Sequence, residues 1–497
     1  CDWSSDVCSS DLGISNREHG TFELFSIDVN YSNRSSPQLR SISFRFDQDN
    51  FLPGESPISG VFNWNIPTSA LARESITELV NKGNDTVFSV ASIDLNSVAN
   101  VENVTLTGSA STYAVGDAAN NALIGNSGAN TLTGGAGDDS LDGGLGNDVI
   151  DGGGSIDTVS YSSAIASVSV SLRAGVASGG AGSDVLTDIE RLSGSRFNDL
   201  LIGNEGNNVI DGGLGNDTVT GGAGIDTVLF ASAISGVSVN LLAGTANGGA
   251  GSDMLVEIEN VTGSMFNDAL LGDLSSNILD GGGGVDTALY TNAASGVVAN
   301  LQTGLVTGGA GADTLISIEN LTGSAFDDIL TGDAGSNVLN GGAGDDSIVG
   351  GAGADTADYT GSAAGVTVSL ALTGAQNTLG SGTDTLAEIE NLKGSGFNDI
   401  LTGNTSNNTL SGGAGNDVFM FLGDGNGIDT ITDFLNGEDV IRFSGVNFTA
   451  PLTIGNGVAV GQGQAQLSSS GITTTLYIGT DLTPGADVTV TLAGNYT

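Results

Sequence analysis

GGAGDDSLDGGLGNDVIDGGGSIDTV, residues 134–159, decides the fold. Divided into nines it reads Gly-Gly-x-Gly-x-Asp-x-apolar-x twice, and a third time with Ser155 in place of the third glycine. The sixth position is filled by Asp139, Asp148 and Asp157, and the eighth by Leu141, Ile150 and Val159. A period of nine fits neither an amphipathic helix nor a long alternating strand. It fits one sharp turn followed by one very short strand. The glycines allow the positive φ that a tight turn demands, and the last three residues can extend with the middle side chain pointing inward.

The same unit recurs through the chain. Strict GGxGxD copies end in Asp139, Asp148, Asp184, Asp217, Asp226, Asp253, Asp286, Asp313, Asp346, Asp355 and Asp417. Looser copies place Asp157, Asp199, Asp268, Asp328 and Asp399 at the same sixth position. In further copies asparagine stands there, at Asn130, Asn208, Asn277, Asn337 and Asn408, yet the apolar residue two places on persists as Leu132, Ile210, Leu279, Leu339 and Leu410. The apolar slot is kept more strictly than the charge, as a stacked core requires. A longer repeat overlies the short one: blocks of the type EIENVTGSMFNDALLG begin at Asp188, Glu257, Ser317 and Glu388, at intervals of 69, 60 and 71 residues. The middle interval is shorter by one whole nonapeptide, a loss that only a solenoid absorbs. Between the blocks lie alternating stretches, Val168–Leu172, Val237–Leu241 and Val366–Leu370, each expected to bury one face of a strand.

Composition sets the chemistry. The chain of 497 residues carries 57 Asp and Glu against 11 Lys and Arg, a formal net charge of -46, and 80 glycines. Such a surface disfavours nucleic acid and anionic membranes, which recruit basic patches, and leaves cations as the natural partners. With 39% hydrophobic and 5% aromatic residues, small aliphatic layers are the expected core. No apolar run approaches the roughly 18 residues a membrane helix needs.

Glycine turns bring carbonyl oxygens together, and each aspartate adds a hard anionic oxygen. Calcium takes about six to eight such oxygens. One turn is too few, whereas two turns stacked in successive coils suffice. With two nonapeptides per coil, partners lie eighteen residues apart: Asp139 with Asp157, Asp199 with Asp217, Asp268 with Asp286, Asp328 with Asp346. The expected calcium ligands are therefore the sixteen aspartates named above, with the isolated Asp184, Asp253 and Asp313 turns, and a similar turn at Asp384, as readily explained by solvated turn residues.

These stretches resemble the calcium-binding nonapeptides of the bacterial RTX family, most closely at residues 134–159, 212–229, 341–358 and 412–420. Gly427–Gly445, GIDTITDFLNGEDVIRFSG, is similar to the segment that ends many such rolls. The resemblance implies an all-β, right-handed parallel β-roll or β-helix solenoid, several Ca²⁺ ions in the turns, and export by type I secretion machinery to the outside of a bacterial cell. It leaves open a cell-surface or polysaccharide ligand. The Asn copies, and Ser155 where glycine is the rule, depart from the family pattern and weaken individual sites.

The remaining regions follow by difference. Residues 1–12 are similar to a translated sequencing-library adapter and are expected to be an artefact. They hold both cysteines, Cys1 and Cys8, so no disulfide or thiolate site is expected beyond them. Residues 13–82 hold most of the basic residues, a β-like stretch at Arg40–Gln48 and a short helical pattern at 68–80, and form a β-rich segment of unknown role. Residues 83–133 are lead-in coils, 134–433 the calcium-binding roll, and 434–497 a C-terminal β cap with an expected secretion region. No HExxH helix and no GxSxG elbow occurs, and the repeats contain no histidine. The chain is thus expected to be non-catalytic, a secreted structural module or stalk. The alternatives are the accessory region of a secreted protease, lipase or polysaccharide epimerase, or a fragment of an adhesin.

Overall fold

The computed structural model describes residues 84–494, save 99, 423–426, 459, 471 and 481–485, together with the backbone of the strands Phe22–Asn30, Gln38–Phe46 and Val61–Asn63. Residues 1–12 and the helical pattern at 68–80 lie outside the described residues. Gln38–Phe46 takes in most of the β-like stretch and pairs antiparallel with Phe22–Asn30.

From Thr86 onward the chain winds as a parallel β-roll. One ladder stacks Thr86–Ser89, Asn103–Leu106, Ala122–Ile124, Ser140–Asp142 and Thr158–Ser160, and Val61–Asn63 lies parallel to its first strand. The other stacks Ile93–Asp94, Tyr113–Val115, Thr131–Ala136 and Val149–Gly154. Each coil contributes one strand to each ladder, so two nonapeptides make one coil. The register follows: Leu123, Leu141 and Val159 stand over one another, and Leu132 stands under Ile150. Each of these is the middle residue of its triplet and is fully buried. The apolar slot of the sequence is therefore the core, one aliphatic side chain per nonapeptide, each worth about 1.5–3 kcal/mol of burial. The one helical element among the described residues is the 3₁₀ turn Leu95–Ser97.

The alternating stretches open three-stranded antiparallel insertions. Val168–Ser171, Val176–Gly179 and Gly182–Thr187 pair in sequence order. The third strand rejoins the roll alongside Val149–Gly154, and the first starts the next stack alongside Leu200–Ile202. The pattern repeats at Val237–Asn240, Thr245–Gly248 and Gly251–Val256, and again at Val297–Asn300, Leu305–Gly308 and Gly311–Ile316. The first two insertions sit in the same ladder; the third sits in the other, because Gly311–Ile316 joins the stack that contains Thr158–Ser160 and Thr227–Leu229. The missing nonapeptide explains the change of side, since nine residues are half a coil.

At the far end Val418–Leu422 pairs with Val440–Ser444, and the antiparallel strands Ala465–Ser469, Thr473–Ile478 and Val488–Ala493 close the roll against Ile428–Ile431. Here the slot widens to aromatic residues: Phe419 and Phe421 are buried, and Phe421 stacks on Phe443 at 5.8 Å between ring centres. A larger layer at the end of an aliphatic stack covers its last open face.

Candidate metal centres in the stacked turns

The sixth-position aspartates point into the turns, not out to solvent. Asp139, Asp148, Asp157, Asp217, Asp226, Asp286, Asp346, Asp355 and Asp417 are all nearly or fully buried. One carboxylate oxygen of each has a fixed task. Oδ1 of Asp157 accepts the Asp139 N–H at 2.8 Å, and the same bond links Asp217 to Asp199 (2.8 Å), Asp286 to Asp268 (2.7 Å), Asp346 to Asp328 (2.9 Å) and Asp417 to Asp399 (2.9 Å). The pairs expected eighteen residues apart are thus brought together, each carboxylate reaching back to the preceding coil.

The other oxygen has no partner. Oδ2 is buried and makes no hydrogen bond in Asp139, Asp148, Asp157, Asp217, Asp226, Asp286, Asp313, Asp346, Asp355, Asp384 and Asp417. A buried polar atom left unpaired costs about 1–3 kcal/mol, more when charged. Its surroundings are oxygen-rich. A Cβ on Gly134 would collide with Asp139 Oδ2 and with the carbonyl oxygen of Gly152; one on Gly281 would collide with Asp286 Oδ2 and the Ser317 carbonyl; one on Gly350 would collide with Asp355 Oδ2 and the Glu388 carbonyl. Only glycine leaves this cradle open. Ser317 and Glu388, with Asp188 and Glu257 at equivalent places, hold φ between 49° and 54°, a left-handed backbone that non-glycine residues adopt at a cost. In each case that backbone aims a carbonyl into the cradle.

Electrostatics agree with a site for positive charge. Burial, opposed by the backbone N–H bond and reinforced by the next carboxylate, raises Asp139, Asp148 and Asp286 to about 6, and Asp217 and Asp346 to about 7. Among the described residues no three His, Cys, Asp or Glu side chains converge. Each site therefore offers at most two carboxylates and takes its other ligands from carbonyls. Hard anionic and carbonyl oxygens without nitrogen or sulfur suit Ca²⁺, and the orphaned oxygens and glycine cradles fit that ion.

Not every candidate aspartate is alike. Asp199, Asp268, Asp328 and Asp399 have both oxygens occupied. In Asp328, Oδ2 accepts the Ser324 N–H (2.6 Å), while Oδ1 takes the Ser324 hydroxyl (2.9 Å) and the Val297 N–H (2.7 Å). Ser195, Ser264 and Ser395 treat their aspartates in the same way. Asp184 and Asp253 accept the N–H groups of Asp148 and Asp217, and Asp313 that of Asn277, across 36 residues instead of eighteen. The Asn copies complete their own bonding: Asn277 Oδ1 accepts the Asp273 N–H (2.8 Å), and its Nδ2 donates to the Glu259 carbonyl (2.7 Å). A carboxamide donates where a carboxylate cannot.

Two sets of residues escaped the sequence pattern. Glu190, Glu259, Glu319 and Glu390 occupy the sixth position of a degenerate copy, their Oε2 atoms accepting the N–H groups of Asp157, Asp226, Asp286 and Asp355. The buried Leu192, Val261, Leu321 and Leu392, two places on, were the available signal. The fifth position, written as x, also forms a ladder: Asn198 Oδ1 accepts the Asn216 N–H and Asn267 Oδ1 the Val285 N–H, both at 3.0 Å. Fifth-position side chains reach forward one coil while sixth-position side chains reach back.

Comparison with known proteins agrees. A family model described as the RTX calcium-binding nonapeptide repeat, in four copies, matches residues 115–159, 193–228, 259–288, 322–357 and 393–431. Across those stretches the chain carries RTX repeats, and that repeat binds calcium ions. Among solved structures, the extracellular lipase LipA from Serratia marcescens is similar at 16% identity with a TM-score of 0.13. The match covers 60% of this chain and 38% of the lipase chain, so this chain spans well under half of that lipase's length. No curated protein matches.

Proposed function

We propose that this chain is a calcium-dependent β-roll that is exported unfolded by a type I secretion machine and becomes rigid outside the cell, where it serves as a structural and secretion module. The observation that carries this reading is the row of buried, unpartnered Asp Oδ2 atoms, of which those of Asp139, Asp157, Asp226, Asp286 and Asp355 each lie beside a backbone carbonyl of the next coil. Bound Ca²⁺ supplies the counter-charge those oxygens lack. Asp139, Asp148, Asp157, Asp217, Asp226, Asp286, Asp346, Asp355 and Asp417 are the ligands proposed, with carbonyls of the first glycines and of Asp188, Glu257, Ser317 and Glu388 completing the sites. Asp199, Asp268, Asp328 and Asp399 act as positioning residues, fixing through Ser195, Ser264, Ser324 and Ser395 the turns against which the ligands stack.

Extracellular calcium modules bind at about 0.1–1 mM, so a cytosolic chain stays empty. Its net charge of -46 then opposes compaction, which keeps it fit for export. The roll is proposed to occupy residues 83–433, and 434–497 its cap. No helix among the described residues is long and apolar enough to cross a membrane. The test is circular dichroism of the purified chain in EDTA and in millimolar Ca²⁺. A gain of β signal on adding calcium is expected; equal structure in both solutions refutes the proposal.

A further inference from the structure

The second residue of the nonapeptide separates two kinds of turn. In the turns of the nine aspartates proposed above as ligands it is glycine, with φ between 79° and 117°. Its N–H is turned away from the carboxylate. Gly144, Gly213, Gly282 and Gly342 donate to Oδ1 of Asp142, Asp211, Asp280 and Asn340 at 2.8–3.1 Å, and Gly413 donates to Asp433 at 2.8 Å. Where another residue stands second, no positive φ is adopted and the N–H turns inward. Ser195, Ser264, Ser324 and Ser395 donate it to Oδ2 of their own sixth-position aspartates at 2.5–2.6 Å. Asn204, Asp273, Asp333 and Asn404 donate it to Oδ1 of Asn208, Asn277, Asn337 and Asn408 at 2.7–2.8 Å. Asp117 and Asn126 do the same for Asn121 and Asn130.

The cradle is otherwise the same. A Cβ on Gly263 would collide with Asp268 Oδ2 and the Gly281 carbonyl, and one on Gly323 with Asp328 Oδ2 and the Gly341 carbonyl; the same pair of oxygens meets at Gly134. Asp268 and Asp328 are buried like the proposed ligands. Carboxylate, carbonyl and burial are all present, and the serine N–H is the difference. An N–H aimed at a carboxylate oxygen brings its positive end where a cation would bring its charge. Position in the stack decides which residue can stand there. The serine turns open stacks: Ala269–Leu271 and Ile329–Thr331, which follow them, lie on the first strands of the insertions, Val237–Asn240 and Val297–Asn300. One coil later a side chain at the second place would strike the carbonyl below it, that of Ser264 under Gly282 and that of Ser324 under Gly342. Sterics thus force glycine into the later turn and leave the opening turn free to carry a side chain.

We propose that the second residue of each nonapeptide selects which turns hold an ion: glycine leaves the carboxylate open to Ca²⁺, and any other residue closes the turn by setting its own N–H in the cation's place. In the asparagine turns the closure is complete, since Nδ2 of Asn208, Asn277, Asn337 and Asn408 donates to the carbonyl of Glu190, Glu259, Glu319 or Glu390 in the coil before. The Ser264 turn and the Asp273 turn are the two halves of one coil. Each stack therefore opens on a coil whose sixth positions take no ion, and calcium enters from the second coil onward. This inference rests on the calcium reading above, and counting ions separates the two.

Ser195→Gly, Ser264→Gly, Ser324→Gly and Ser395→Gly are combined in the full chain, and the same four serines are changed to alanine in a second variant. Both remove the hydroxyl, but only glycine lets the N–H swing away. Bound Ca²⁺ per chain is measured by equilibrium dialysis and atomic absorption at saturating Ca²⁺, with circular dichroism reporting folding. The glycine variant is expected to bind more Ca²⁺ than the parent, by up to one ion per substituted turn. The alanine variant is expected to melt lower, for want of the hydroxyl bonds, and to gain no ion. Should the fourfold glycine variant not order in calcium, Ser264→Gly and Ser324→Gly singly decide, each read as one added ion by native mass spectrometry. Equal ion counts in the parent and the glycine variants overturn the selection and leave the stacked-turn reading standing. An equal gain in the alanine variant overturns it too, because the hydroxyl and not the N–H would then close the turn. A parent chain that binds no calcium removes both readings.

Discussion

Asp286→Asn sets the charge of the turns against their hydrogen bonding. In the metal-free chain Asp286 buries an unpartnered Oδ2, and burial, with the neighbouring Asp268 and Glu319, raises it to about 6. Asn277, one nonapeptide earlier, shows what an amide does at this position: it closes both of its bonds, one within its turn and one to the Glu259 carbonyl. The equivalent carbonyl for residue 286 is that of Asp268, which already receives the Thr287 N–H at 2.9 Å and has a second lone pair. The substitution exchanges an orphan costing about 1–3 kcal/mol for a bond worth about 1 kcal/mol. The metal-free fold should gain about 2–4 kcal/mol, a shift of about one and a half to three powers of ten in its folding equilibrium. With calcium the sign reverses, because a ligand is lost and the Ca²⁺ concentration at half-folding rises. Asp286→Ala loses the ligand and also the bond to the Asp268 N–H, so it destabilises both states. The assay is circular dichroism in EDTA with increasing trimethylamine N-oxide, which favours burial, alongside a calcium titration. Should Asn and Ala be equally destabilising in EDTA, the orphaned oxygen is not the source of the instability.

Acid should partly replace calcium. The raised carboxylates stabilise the folded metal-free chain when protonated, an effect fully present below their ordinary 3.8 and lost as pH climbs through about 6 to 7; β signal in EDTA should therefore be greater at pH 4 than at pH 7.5, and the opposite order refutes the burial argument. Leu330→Ala, at a fully buried slot, should cost about 2–5 kcal/mol and raise the calcium needed for folding, with an unchanged midpoint showing that the slots are not the core. Ser324→Ala removes a hydroxyl bond to Asp328 and should cost about 1 kcal/mol, read as a lower melting temperature in saturating calcium.

The architecture was legible because the nonapeptide writes turn, strand and inward residue in a fixed phase; Leu141, Ile150 and Val159 are fully buried, as their spacing required. The eighteen-residue pairing of aspartates followed from two such units per coil. What the sequence left hidden depends on direction and on chemistry across coils. Asp157 and Asp199 stand at the same position of the repeat, yet one keeps a free oxygen and the other is saturated by a serine four residues before it. Glu190 was hidden because a longer side chain does an aspartate's work without the glycines that mark the motif.

The change of side taken by the third insertion shows what a solenoid of half-coil units makes available to evolution. Adding or deleting one nonapeptide leaves every inward side chain facing inward, yet rotates everything downstream by half a revolution about the long axis. Slippage at the repetitive glycine codons can thus turn decorations to the opposite flank in a single event, as a gear tooth skipped resets a dial without altering its teeth.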